Sequence, residues 1–166
     1  MPRIALLSDT HGHLDSGILE AVDSCDQIWH AGDVGNIEVI DQLEALKTCK
    51  GVYGNIDDHK IRTVWPKDQF FECDGLKVFM THIGGYPPKY TTEVKKSLIT
   101  HKPGLYICGH SHILKVMPDK ALGLIHMNPG ACGHHGFHKI RTILRFSITQ
   151  GRIHDVEVVE LGLRGR

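Results

Sequence analysis

The chain has no surplus of either charge: 19 Lys and Arg stand against 19 Asp and Glu. Nucleic-acid binders usually carry a basic excess, so net charge gives no support to that class of partner. There is no CxxC pair, and the five cysteines (Cys25, Cys49, Cys73, Cys108 and Cys132) are scattered and odd in number. A disulfide framework is therefore not expected; reduced, core-filling thiols in a cytoplasmic protein are. Long hydrophobic runs are missing too. Ile4-Ala5-Leu6-Leu7, directly after Met1-Pro2-Arg3, is too short for a signal-peptide core or a membrane span, so no membrane partner is expected. No repeat, low-complexity tract or linker interrupts the chain, and residues 1–166 are expected to form a single domain.

What the chain has in quantity is histidine, thirteen in all. Histidine is the commonest metal ligand and titrates near neutral pH. Position, not number, decides what these residues do.

The hydrophobic pattern predicts a strand over Arg3 to Ser8, a helix over Leu14 to Val22 and a strand over Gln27 to His30. A second helix is expected over Asn36 to Leu46, capped by Asn36, with Ile37, Ile40, Leu43 and Leu46 on one face. Gly51 to Tyr53 reads as the end of a third strand. Gln69 to Cys73 and Leu76 to Thr81 flank Asp74-Gly75, a strong hairpin signal. Thr92 to His101 reads as a helix closed by Lys102-Pro103-Gly104. Strands are expected over Leu105 to Cys108, Ile113 to Met117, Leu122 to Met127, Thr142 to Ile148 and Arg152 to Val159. The pattern is α/β in front and more antiparallel behind, which a two-sheet sandwich covered by helices accommodates.

The unusual polar residues fall at strand ends. Asp9 and His11 follow the first strand, Asp33 the second and Asn55 the third; His82 ends the strand Val78 to Thr81, and His110 and His112 follow Leu105 to Cys108. In open α/β sheets, ligands bind beyond the carboxyl ends of the strands. Each fragment alone is weak, since Asp-x-His or His-x-His usually marks a turn with exposed histidines. Their joint occurrence, each at a strand end, points to one shared metal site. Carboxylate, amide oxygen and imidazole donors without a cysteine suit Mn, Fe, Ni, Co or Zn. Seven ligands exceed one tetrahedral zinc and suit a pair of ions about 3.5–4 Å apart, the arrangement that clamps both oxygens of an in-line displacement at phosphorus.

The series Asp9-x-His11, Gly32-Asp33, Gly54-Asn55, His82 and Gly109-His110-x-His112 resembles the calcineurin-like metallophosphoesterase superfamily, and its compact spacing is most similar to the small bacterial and archaeal phosphodiesterase branch (YfcE-type). The resemblance implies a four-layer α/β/β/α sandwich of two mixed sheets flanked by helices. It implies two divalent ions, manganese first and Fe, Ni, Co or Zn as alternatives. Asp9, His11 and His112 would hold one and Asn55, His82 and His110 the other, with Asp33 bridging. A bridging hydroxide would be the nucleophile on a small phosphoester, with Asp33, Asn55 and His82 acting through metal and phosphate positioning. The alternative is a protein-interaction scaffold on the same fold, as in the retromer scaffold subunit; a homo-oligomer stays open.

Two departures matter. Many superfamily members carry Gly-Asn-His-Asp or Gly-Asn-His-Glu, whose histidine protonates the leaving group; this chain has Gly54-Asn55-Ile56-Asp57. Isoleucine cannot donate a proton, so esters with good leaving groups, such as aryl diesters, are expected to be favoured. His59 is the stand-in donor, against a plain reading as a surface histidine in the loop Asp57-Asp58-His59-Lys60. The second departure is Gly130 to Arg141, rich in glycine, histidine and cations. It reads either as a specificity loop beside the metals or as a solvated turn. His13, His30 and Asp57 are candidates to support the ligands. Trp29 and Trp65 read as packing or as a substrate platform.

Overall fold

The computed structural model describes residues 1–165. In chain order the elements are β1 (Arg3–Leu7), α1 (Ser16–Asp23), β2 (Gln27–His30), α2 (Ile37–Leu46), β3 (Thr48–Gly51), α3 (His59–Val64), β4 (Asp68–Cys73), β5 (Leu76–Thr81), β6 (Gly85–Tyr86), β7 (Lys89–Tyr90), α4 (Thr92–His101), β8 (Leu105–Ile107), β9 (Lys115–Asp119), β10 (Leu124–Asn128), β11 (Ile140–Thr149) and β12 (Arg152–Leu163). Each helix starts where a short polar side chain accepts from a free backbone N–H. Asp15 receives Ile18, Asn36 receives Glu38, Asp58 receives Ile61 and Thr91 receives Val94. Such a cap is typically worth ~1 kcal/mol.

Two five-stranded sheets have the orders β12-β11-β1-β2-β3 and β4-β5-β8-β10-β9. In each, three parallel strands form the centre or one flank, and antiparallel strands complete the sheet. Alternation along the strands builds the layers. Ile4 and Leu6 of β1 face Val78 and Met80 of β5 and Leu105 and Ile107 of β8 in one core between the sheets. Their neighbours Ala5 and Leu7 pack outward against Ile18 and Val22 of α1 and Ile40 and Leu43 of α2. On the far side, Phe79 and Tyr106 meet Val94 and Leu98 of α4. The result is the expected α/β/β/α sandwich of two mixed sheets.

Several details differ from expectation. The second half is not merely antiparallel, because β5, β8 and β10 run parallel, joined through α4 and through the β9 excursion. The strand expected at Ile113 starts at Lys115, since residues 109–114 form a loop; β3 likewise ends at Gly51 rather than Tyr53. Leu46 is exposed, and Val39 takes its place on the buried face of α2. The six-residue α3 and the β6–β7 ribbon escaped the pattern because neither is long enough to show a period.

Register brings the functional ends into line. Leu7, His30 and Gly51 are side by side in the first sheet, and Met80, Ile107 and Met127 in the second. The loops that carry the expected ligands leave from these two rows. A hydrogen bond from the Gly109 amide to the His82 carbonyl, 3.0 Å long, ties two of them together.

Candidate metal centre

Asp9 has no exposed surface, and Asp33 and His82 are each 97% buried. Asp9 Oδ2 accepts from the Ser8 hydroxyl at 2.6 Å and the His110 amide at 3.2 Å. Its other oxygen, Oδ1, lies 3.2 Å from His112 Nε2. Asp33 Oδ1 accepts from the Ile56 amide at 3.2 Å, while Oδ2 lies 3.4 Å from His11 Nε2 and 3.3 Å from His82 Nε2. Asn55 Oδ1 accepts from His110 Nδ1 at 3.0 Å. Two triads of expected ligands emerge, each with its donor atoms within 4.8 Å of one another: Asp9, His11 and His112, and Asp33, His82 and His110; His13, Asp15 and His134 form a third of the same kind outside the expected set. The Asp33 carboxylate touches a histidine of each of the first two.

The donor atoms fit divalent cations. Asp9 Oδ1, His11 Nε2 and His82 Nε2 are buried without a hydrogen-bond partner. Orphaned buried polar atoms are costly, and here they share one region. Tautomers can be read from the network. The Ala31 carbonyl can only accept, so His82 Nδ1 carries the proton that reaches it at 2.7 Å and Nε2 keeps a free lone pair. The Gly133 carbonyl likewise takes the Nε2 proton of His138 at 2.9 Å, leaving His138 Nδ1 to accept from His112 Nδ1 at 3.3 Å. With its proton on Nδ1, His112 can offer Nε2, 3.2 Å from Asp9 Oδ1, to a metal ion. Such outer partners orient metal-binding imidazoles and fix their tautomer.

Backbone strain marks the same residues. Asp9 (φ 57°), His11 (46°), Asp33 (55°), His110 (70°) and His112 (63°) occupy the left-handed region. Non-glycine residues held there cost of order 1–3 kcal/mol each and cluster at functional sites. Close packing also requires Gly54: a Cβ there would stand 2.1 Å from Asp33 Oδ1 and 2.3 Å from Asp33 N.

The charges are mutually supporting. Burial opposes ionisation of Asp9, but the imidazoles of His11, His112 and His82 around it outweigh that and hold the carboxyl well below its usual range. Asp33 is lowered in the same way, burial being overcome by His11 and His82. Burial disfavours the His11 imidazolium, yet Asp33 and Asp9 push its pKa up to about 9; His82 is raised by the same balance. Burial pushes the thiols of Cys108 and Cys132 up to about 12, so neither offers a thiolate.

The supporting residues were only partly legible. Asp57 accepts three backbone amides, Val34 at 3.1 Å, Gly35 at 2.8 Å and Gly54 at 2.7 Å, and so clasps the Asp33 loop to the Asn55 loop. His30 accepts from the Gly32 amide and meets the Thr10 hydroxyl, and burial lowers its pKa to about 4, so it braces the loops as a neutral ring. His13 pairs with Asp15 at 3.0 Å and with His134 at 2.9 Å instead of with His11. His59 is the exposed first residue of α3 rather than part of a loop, and it belongs to none of these triads. Trp29 and Trp65 are buried packing residues. Ser8 and His138 were missed as ligand partners; adjacency to Asp9 was the only trace of the first, and the second depends on a fold-back no local pattern records.

The family model for the calcineurin-like phosphoesterase superfamily domain matches residues 2–151. A probable metallophosphoesterase of Methanothermobacter thermautotrophicus is 28% identical over 136 residues, covering 77% of this chain and 76% of that one. A phosphodiesterase of Methanocaldococcus jannaschii is 29% identical over 149 residues, 78% of this chain and 84% of its own. Among solved structures, an archaeal phosphodiesterase superposes with a TM-score of 0.73 at 23% identity, covering 95% of this chain and 99% of its own. Vps29 of Entamoeba histolytica gives 0.73 at 15% identity, covering 95% and 98%. These structural likenesses concern the fold.

Proposed function

Because the chain belongs to the calcineurin-like phosphoesterase superfamily, we propose that it is a phosphodiesterase that works with two divalent ions. Asp9, His11 and His112 hold one ion, Asn55, His82 and His110 the other, and Asp33 serves both. The observation that carries this reading is the set of buried, partnerless atoms Asp9 Oδ1, His11 Nε2 and His82 Nε2. When bound, a pair of divalent ions supplies the Lewis acidity that lowers the pKa of water and neutralises phosphate charge. The donor set suits manganese first, with Fe, Ni, Co or Zn as alternatives.

The protein's own part is positioning and exclusion. Asp9 and Asp33 are kept ionised, and the carbonyl of Ala31 and the ring of His138 aim His82 and His112 inward. Asn55 and His110, bonded to each other, stand at the exposed rim where a phosphoryl group can reach them. Beside them, Ile56 is 46% exposed and presents a side chain with no proton to give. The leaving group must therefore depart largely unassisted, which favours aryl over alkyl esters. Protonation by a general acid is typically worth about 10²–10⁴-fold, and that is the handicap expected on alkyl leaving groups.

The test is a panel of aryl and alkyl phosphomono- and diesters with metal-reconstituted protein, and Asp33→Asn as control. Metal-dependent turnover of aryl diesters, lost by more than about 10²-fold in Asp33→Asn, is expected, since losing a ligand should exceed the penalty for losing its outer partner. A folded protein without metal-dependent turnover would transfer the assignment to a scaffold role, to which the fold likeness to Vps29 corresponds.

A further inference from the structure

The loop that follows β10 turns back onto the metal centre and carries an aromatic side chain that packs against nothing. Phe137 is fully exposed. Exposure of this kind on a floppy tip would mean little, but the loop is fastened on both sides of it. His138 donates to the Gly133 carbonyl at 2.9 Å, and the Arg164 side chain donates to the His138 carbonyl at 2.9 Å. Arg164 also bonds Lys139 through the backbone at 2.8 Å, and its own carbonyl accepts from His134. His134 reaches across to His13 at 2.9 Å, beside Asp15, which pairs with Arg141 at 2.8 Å. Gly136, at φ 130°, lies so close to His112 that a Cβ would stand 2.1 Å from its Nδ1. Phe137 is thus held out over the site by a braced backbone.

Next to it opens a cavity of about 590 Å³ lined by His11, His13, His134, His135, Phe137 and Arg164. The volume suits a single ring system with its substituents, within the roughly 300–1,000 Å³ typical of small-molecule sites. The wall is imidazole, phenyl and guanidinium, with no carboxylate among the described lining residues to repel an anion. It is also joined to the metal centre, because the His135 ring stacks on His11 with centroids 4.7 Å apart and planes at 26°.

We propose that the 133–138 loop is a recognition subsite for a flat aromatic group carried on the phosphoester, received by Phe137 and His135 while the phosphorus lies at the metals. This rests on the phosphodiesterase reading and adds to it the class of substituent: an aryl ring or a nucleobase. An aryl ring bonded through the ester oxygen is also the good leaving group that an Ile56 site needs; a nucleobase, carried through its sugar, would instead sit on the ester group that stays on phosphorus. It also covers Phe137, whose exposure has no other explanation in the fold.

Binding tests this without relying on turnover. Metal-loaded full-length protein is titrated with phenylphosphonate and with methylphosphonate, as wild type, Phe137→Ala and Phe137→Trp. Wild type should prefer the phenyl compound, and Phe137→Ala should reduce that preference about 2- to 10-fold, the range of one aromatic stacking contact. Methylphosphonate affinity should stay the same, and Phe137→Trp should restore the preference. A thymidine 5′-monophosphate arm separates the two sources. A larger loss there identifies a nucleobase, and an equal loss a simple aryl group. An unchanged phenyl preference in Phe137→Ala overturns the subsite while leaving the metal site intact. Failure of wild type to bind either phosphonate overturns the subsite and counts against the metal-centre reading as well.

Discussion

Replacing His138 by Phe keeps a ring of similar size and removes both of its nitrogens. In the native network, the Gly133 carbonyl fixes the proton on His138 Nε2, and the remaining lone pair holds the Nδ1 proton of His112 at 3.3 Å. Without that acceptor, His112 is free to carry its proton on Nε2, which points at Asp9 Oδ1 from 3.2 Å and is the nitrogen needed by a metal. Each ion bound must then first select the rarer tautomer and orientation. Loss of such an outer partner typically weakens metal binding about 10- to 100-fold, equivalent to roughly 1.4–2.7 kcal/mol. The effect should fall on the ion held by Asp9, His11 and His112, so a competition titration against a chelator should show one weakened step and one normal step. His126 is the control: it too is buried, with its pKa lowered to about 4 by burial, but it lies on β10 and donates to the Tyr106 carbonyl. His126→Phe should change thermal stability and leave both metal steps alone. If His138→Phe binds both ions within twofold of wild type, the tautomer argument is wrong.

Two further outcomes follow from the centre. In metal-free protein the His11 pKa lies near 9 against an ordinary 6.5, so its contribution to stability is complete below pH 6.5 and lost as pH rises through 9. Asp9 and Asp33, depressed below an ordinary 3.8, contribute above that pH and lose their contribution on acidification. Melting temperatures taken with chelator should therefore decline from pH 6.5 to 9, whereas metal, which displaces the proton, should flatten that decline; a flat metal-free profile would contradict the assigned charges. Ile56→His should restore a proton donor at an exposed position beside Asn55, and alkyl diester turnover should rise by up to about 10²-fold with aryl turnover little changed. Equal gains on both would show that leaving-group protonation is not what the native site lacks.

Much of this arrangement was open to reading in the chain itself. The apolar runs bearing Ile4, Leu6, Val78 and Met80 mark strands buried on both faces, and the expected ligands come directly after them, so the sandwich and the clustering of those residues follow from pattern and position. What stayed hidden depends on distant approach. Val39 is buried with Ile40 and Leu43 while Leu46, the last residue of α2, is exposed, an outcome of packing beyond the helix that local spacing leaves open. His138 meets His112 across 26 residues, and Ser8 is paired with Asp9 only because the backbone there turns left-handed. His59 fell in a six-residue helix capped by Asp58, too short to announce itself before the cap was seen.

Asp57 ties the loops of Asp33 and Asn55 through three main-chain amides, so its own carboxylate is the one side chain those bonds require. The spacing of that part of the centre thereby depends on Asp57, and on Gly54 where a Cβ would meet Asp33, rather than on the side chains at the rim. Ile56, exposed and outside those bonds, can change without altering what Asp57 holds, so selectivity at the rim can drift over generations while the frame of the centre stays fixed. An unusual residue such as Ile56 is then a change of taste rather than a sign of decay.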